Sequence, residues 1–108
     1  MELRLIYSTH PSAEQARATA MALIGEKLAA CCNIIPGMES YYLWEGAITN
    51  ASEVAMISKT TQLQSDAVIA RIRALHPYET PAIASLAIAG GYRPFLDWIA
   101  ESCSPPKA

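Results

Sequence analysis

Apolar residues recur along this chain at two spacings, and the switches between them divide it into strands and helices. Residues 3–9 are rich in β-branched and aromatic side chains and stop at Pro11, which predicts a strand. Ser12 followed three residues later by Gln15 has the form of a helix-capping box. From there Ala16, Ala20, Leu23, Ile24 and Leu28 fall on one helical face. Gly25 weakens that helix by about 1 kcal/mol relative to alanine without erasing its period. Residues 31–35 form a short apolar strand closed by Pro36-Gly37, a turn signal. Residues 41–61 then read as a long hairpin kinked at Gly46, with Asn50-Ala51-Ser52 as a polar turn before a strand at 54–61.

Leu63, Val68, Ile72 and Leu75 give a second helix its apolar face, and Pro77 stops it after His76. Residues 82–89 are apolar at nearly every position, which predicts a strand covered on both faces. Gly90-Gly91 leads into a short helix over 95–102, with Phe95, Trp98 and Ile99 on one side. The order is β-α-β-β-α-β plus a terminal helix, the α+β, ferredoxin-like arrangement of two helices on a four-stranded sheet. One domain over residues 1–103 is expected, with 104–108 a frayed tail.

Composition narrows the function classes. A chain of 108 residues is one domain, and 52% hydrophobic residues are enough for a core, though 19 of them are alanines with little apolar area each. Charged residues are only 17%, against about 25% in an average soluble domain. A small domain so poor in charge leaves apolar surface for partner subunits, so an oligomer is expected. The net charge of −2 and scattered basic residues argue against a nucleic-acid partner. No run approaches the ~18 apolar residues of a membrane span, and no signal-peptide pattern precedes Ser8. The expected location is the cytoplasm, where Cys31, Cys32 and Cys103 remain thiols.

Candidate chemistry concentrates in a few places. His76 and Glu79 flank Pro77-Tyr78, and a turn there would bring imidazole and carboxylate onto one ion; the alternative is that His76 caps the helix C-terminus. Cys31 or Cys32 offers a soft thiolate or a small buried hydrophobe. Adjacent strand residues point to opposite faces, so the two do not act together. Cys31 is expected to be buried and Cys103 exposed. His10 follows the first strand, where binding groups often sit. Tyr41, Tyr42, Trp44 and Glu45 form an aromatic concentration that reads as a subunit interface. Lys59, a lone charge in an apolar strand, holds an anion, pairs with a glutamate or faces solvent. Motifs of hydrolases, P-loop enzymes, zinc proteases and dinucleotide binders are missing, so an enzyme is not expected.

Taken together, Leu28-Ala29-Ala30-Cys31-Cys32-Asn33-Ile34-Ile35-Pro36-Gly37, Tyr42-Leu43-Trp44-Glu45-Gly46-Ala47-Ile48, Lys59-Thr60, His76-Pro77-Tyr78-Glu79-Thr80-Pro81 and Phe95-Leu96-Asp97-Trp98-Ile99 resemble, in order, the motifs of the divalent-cation tolerance (CutA) family. The resemblance implies a ferredoxin-like protomer in a tight homotrimer, with edge strands paired between subunits, that binds copper or a similar divalent ion. It implies metal roles for His76 and Cys31, with His10 and Glu79 as candidate company. Some members use a cysteine at the end of the first strand, where this chain has Ser8. The family also resembles PII-type signalling trimers. An inter-subunit cleft lined by Tyr42, Trp44, Glu45, Lys59 and Tyr78 would then take a small anionic ligand, or the trimer would serve as a scaffold.

Overall fold

The computed structural model describes residues 2–103, so the tail expected at 104–108 lies outside the described residues. Its elements are β1 (Leu3–His10), α1 (Ala13–Gly25), β2 (Cys31–Trp44), β3 (Ala47–Thr61), α2 (Gln62–Leu75), β4 (Ile83–Ala87) and α3 (Arg93–Ser102). The strands form one antiparallel sheet in the order β2-β3-β1-β4. Helices α1 and α2 cover one face, burying Ile6, Leu23, Ala29, Met56, Val68 and Ile72. No helix among the described residues is long and apolar enough to cross a membrane.

Local chemistry sets the ends of α1. Ser12 Oγ accepts from the Gln15 N–H at 3.1 Å, as the capping pattern predicts. The other end differs from expectation. Leu28 lies beyond the helix, because Lys27 takes a left-handed conformation with φ 59°. The Lys27 N–H then reaches the Ile24 carbonyl and the Leu28 N–H the Leu23 carbonyl. That pair of bonds is a Schellman cap, and it folds Leu28 back onto the core.

Four further expectations are corrected. The hairpin turns at Glu45-Gly46, with φ 49° and 80°, between the paired Trp44 and Ala47. Two consecutive positive φ values are what a tight two-residue loop between twisted strands demands. Asn50, Ala51 and Ser52 instead lie inside β3, opposite Tyr41, Ser40 and Glu39. Pro36-Gly37 interrupts β2 without ending it, where the register shifts between Ile35 and Met38. Proline is tolerated there because β2 is an edge strand. The fourth strand is shorter than predicted and is the other edge, with Leu86 49% exposed, so it is not covered on both faces. On α2 the buried positions are Gln64, Ser65, Val68 and Ile72, while Leu63 and Leu75 face out.

Because β1 pairs with β3 only from Val54 to Thr61, the distal halves of β2 and β3 pair only with each other. They form an arm on which Tyr41, Tyr42, Leu43, Trp44 and Ile48 are exposed.

The thiols invert the predicted order. Cys103 is buried at the end of α3, its Sγ 3.8 Å from Thr60 Oγ1, while Cys31 is half-buried. Burial pushes the Cys103 thiol above its ordinary range, against hydrogen bonds from Thr60, Thr61 and Ala30. A thiol reagent added to the folded protein should therefore label Cys31 faster than Cys103. Faster labelling of Cys103 would refute this packing of the α3 C-terminus.

Candidate functional site

Alternation along β1 puts Ser8 and His10 on the face that α1 and α2 cover, and both are fully closed to solvent. Beyond Ile6, β1 itself presents polar side chains to the space under the helices. The space is filled by Gln15 and Thr19 from α1 and by His76 from the end of α2. Gln15 Nε2 donates to Thr19 Oγ1 at 3.2 Å and to the Leu75 carbonyl at 3.0 Å. Its amide oxygen is thereby turned toward His10 Nδ1, with which it makes a short hydrogen bond. Nδ1 of His10 must then carry the proton, and Nε2 accepts from Ser8 Oγ at 2.8 Å.

The second imidazole has the opposite tautomer. His76 Nδ1 accepts from the Tyr78 N–H at 3.2 Å, so Nε2–H donates to the Thr9 carbonyl at 2.8 Å. The His10 and His76 rings lie 5.2 Å apart between centroids, and the Tyr78 ring lies 4.9 Å from that of His76. His76 ends α2, but its ring closes the β1–α2 seam through Thr9 rather than capping helix carbonyls. Burial pushes His10 below the ordinary imidazole range; the Gln15 acceptor opposes this, His76 adds to it, and Glu53 opposes it.

Ser8, His10 and Gln15 have the order of nucleophile, base and orienting group. The complete burial of Ser8 and His10 shuts that arrangement off from any substrate. As metal ligands the two imidazoles fit in part. His10 holds its lone pair at Nε2 and His76 at Nδ1, each now spent on an internal hydrogen bond. Glu79 is exposed on the connection after α2. Among the described residues of one chain, no group of three or more histidine, cysteine or acidic side chains is placed to hold an ion.

The other candidates lie elsewhere. Cys31 pairs across strands with Lys59, on the sheet face away from α1 and α2. That is five residues along β3 from the partner of His10, about 17 Å at ~3.3 Å per residue. Lys59 Nζ is held by Asn33 Oδ1, lies 3.7 Å from Cys31 Sγ, and sits 5.6 Å from the centre of the Phe95 ring. Glu45, Tyr42 and Trp44 are at the arm's tip, nearly the length of β3 away from Lys59, about 40 Å. One chain therefore does not bring Lys59, Glu45 and Tyr42 into one cleft. Tyr78 belongs with the histidines, not with that group. Sequence reasoning missed Gln15, whose capping-box position assigned its side chain to the helix end. It also missed Asn33, whose two-residue spacing from Cys31 was the available signal.

Residues 4–102 match the family described as CutA1 divalent ion tolerance protein. The divalent-cation tolerance protein CutA of Thermus thermophilus is 44% identical over 98 residues, covering 91% of this chain and 95% of that protein. The solved structure from that organism superposes with a TM-score of 0.90 at 42% identity, covering 94% of this chain and 99% of the other. CutA from Xylella fastidiosa superposes with a TM-score of 0.93 at 34% identity, over 96% of this chain and all (100%) of that one. A structure from Archaeoglobus fulgidus, named as a periplasmic divalent cation tolerance protein, gives 0.89 at 44% identity, over 93% and 97% of the two chains.

The depressed His10 sets a pH dependence with a definite sign. The unfolded chain takes up that proton near pH ~6.5 and the folded chain only at lower pH, so stability is full above about 6.5 and falls as pH drops below it. Urea unfolding at pH 7.5 and pH 5 should show this loss, and a His10→Asn variant should show less of it. An equal loss in both would place the titrating group elsewhere.

Proposed function

The chain belongs to the CutA1 divalent-ion-tolerance family, and from that premise we propose that it is a non-catalytic homotrimer that binds a divalent ion, with copper as the ion. The observation that carries this reading is the approach of two imidazoles, His10 and His76, to 5.2 Å at one end of the sheet. Imidazole nitrogen suits Cu(II), Zn(II) and Ni(II), and Cu(II) is the tightest of these for a given ligand set. Two imidazoles make a weak site by themselves. Glu79 on the adjoining connection, or a group from a neighbouring copy, would complete it. Cys31 lies on the opposite sheet face and is left out of this ligand set. Ser8, where the family resemblance leads one to expect a cysteine, gives a harder and weaker donor than a thiolate.

The trimer is inferred from exposed apolar surface. The arm carries Tyr42 at 44% and Trp44 at 62% exposure, and among the described residues both sheet edges, β2 and β4, lack an outer partner. A neighbouring copy would cover the aromatics and pair those edges. The ferredoxin-like reading of the protomer rests on the β2-β3-β1-β4 order with two crossover helices on one face. With three unpaired cysteines, the proposed location is the cytoplasm. Lys59 favours a second reading, a PII-like regulatory trimer binding a small anion, because no carboxylate among the described residues pairs with it. A trimeric scaffold that organises another protein is the third.

Light scattering should give a trimer at micromolar protein, and Trp44→Ala should weaken it by ~2 kcal/mol or more; a monomer for the parent protein overturns the assembly. Copper at a hundredfold excess over its Kd should stabilise the fold by about 2.7 kcal/mol, visible as a raised Tm. Binding should be micromolar or weaker and fade as pH drops through about 6, as protons compete for imidazole. His76→Ala should remove most of it and leave the trimer intact. Undiminished binding in that variant would move the site, and stabilisation by an anion but by no metal would favour the second reading.

A further inference from the structure

Cys31, Lys59 and Asn33 form a cluster that neither the metal reading nor the core requires. Cys31 and Lys59 are direct cross-strand partners, so their side chains leave the sheet on the same face. Nζ lies 3.7 Å from Sγ and is kept there by Asn33 Oδ1, two residues along β2 on the same face. The Phe95 ring, 5.6 Å from Nζ, closes another side of the amine's surroundings. Cys31 and Lys59 are both half-buried, so neither is closed to solvent. The other thiols point elsewhere. Cys32 Sγ donates to Ser58 Oγ at 3.4 Å on the helix-covered face, and Cys103 is buried against Thr60.

We propose that Cys31 and Lys59 are an oxidation-dependent cross-link site, at which a peroxide joins Sγ to Nζ as a sulfenamide and staples β2 to β3. In the first step the Cys31 thiol and hydrogen peroxide give the sulfenic acid and water; sulfur loses two electrons and the peroxide gains them. In the second, the lone pair of Lys59 Nζ attacks Sγ. One proton of the ammonium first passes to solvent and exposes that lone pair; the S–N bond forms, the S–O bond breaks, and the departing hydroxide leaves as water with a second proton from nitrogen. This condensation changes no oxidation level. Two equivalents of an external thiol reverse it, restoring thiol and amine and forming one disulfide. Sulfenic acids condense with thiols or with nitrogen, and here an amine lies 3.7 Å from the sulfur. The link would abolish the positive charge beside Phe95 and free Asn33 Oδ1, so oxidation would remove the Lys59 charge from this sheet face.

The test is peptide mapping of the intact, assembled protein after hydrogen peroxide, digested without reductant. Expected is a peptide joining the Cys31 and Lys59 segments, lighter than their sum by two hydrogens, with tryptic cleavage lost after Lys59. Dithiothreitol should return both. Cys31→Ser and the conservative Lys59→Arg should reduce the joined peptide to background, whereas Cys32→Ser and Cys103→Ser should leave it. In Lys59→Arg, Cys31 should proceed to sulfinic acid. If the parent protein also gives Cys31 sulfinic acid or a Cys31 disulfide with Lys59 free, the proposal fails.

Discussion

Strand β1 sits between β3 and β4, and its two faces meet different demands. On the helix-covered face Ile6, Ser8 and His10 are all closed to solvent. Ile6 joins an apolar cluster with Leu23, Met56, Val68 and Ile72, so hydrophobic burial holds that half of the seam. At Ser8 and His10 the same burial would be costly without hydrogen bonds, since an unmet buried polar group costs about 1–3 kcal/mol. Gln15 resolves this. Its amide serves His10, Thr19 and the Leu75 carbonyl at once, and so ties β1, α1 and the end of α2 together.

That polar end is also where the imidazoles meet, and structure and proposed function draw on the same atoms. Each ring nitrogen facing inward is already hydrogen-bonded. An ion there would have to displace internal bonds that hold the seam together, which is the physical reason the proposed affinity is weak. In the proposed metal reading, binding and local stability would be linked at this point: an ion would gain only what remains after the Ser8–His10 or His76–Tyr78 bond is given up.

The sheet's far face poses the opposite problem. Leu5, Tyr7, Ile35, Ile57 and Leu86 share it by register, yet neither α1 nor α2 covers it. The arm extends this apolar surface beyond the body of the sheet. A single chain therefore carries a polar interior at one rim and an apolar exterior on one face. Lys59, propped by Asn33 and Phe95, is the charged group on that face whose place is fixed by neighbours from both β2 and α3.

Much of this could be read from the residues alone, because the deciding forces act over a few positions. The Ser12 cap, the helical period through Ala16 and Leu23, the stop at Pro77 and the strand character of residues 3–9 are all local, and all appear in the structure. The motif order was enough to reach the family. The turn at Glu45-Gly46 was locally encoded too, but the polar run at 50–52 competed with it, and only pairing with 39–41 decided between them. Which apolar run is covered was beyond local reading. Leu63, Leu86 and Cys31 are as apolar as Val68, Met56 and Cys103, and their exposure depends on which face the helices occupy. The site divided in the same way. His10 and His76 are 66 positions apart, and their chemistry was visible in each residue, but their meeting depended on α2 returning its last turn to the end of β1. Sequence determined what each element is, since propensity and capping are short-range; tertiary structure decided which groups touch, since burial and hydrogen bonding between distant segments are settled only when the chain closes on itself.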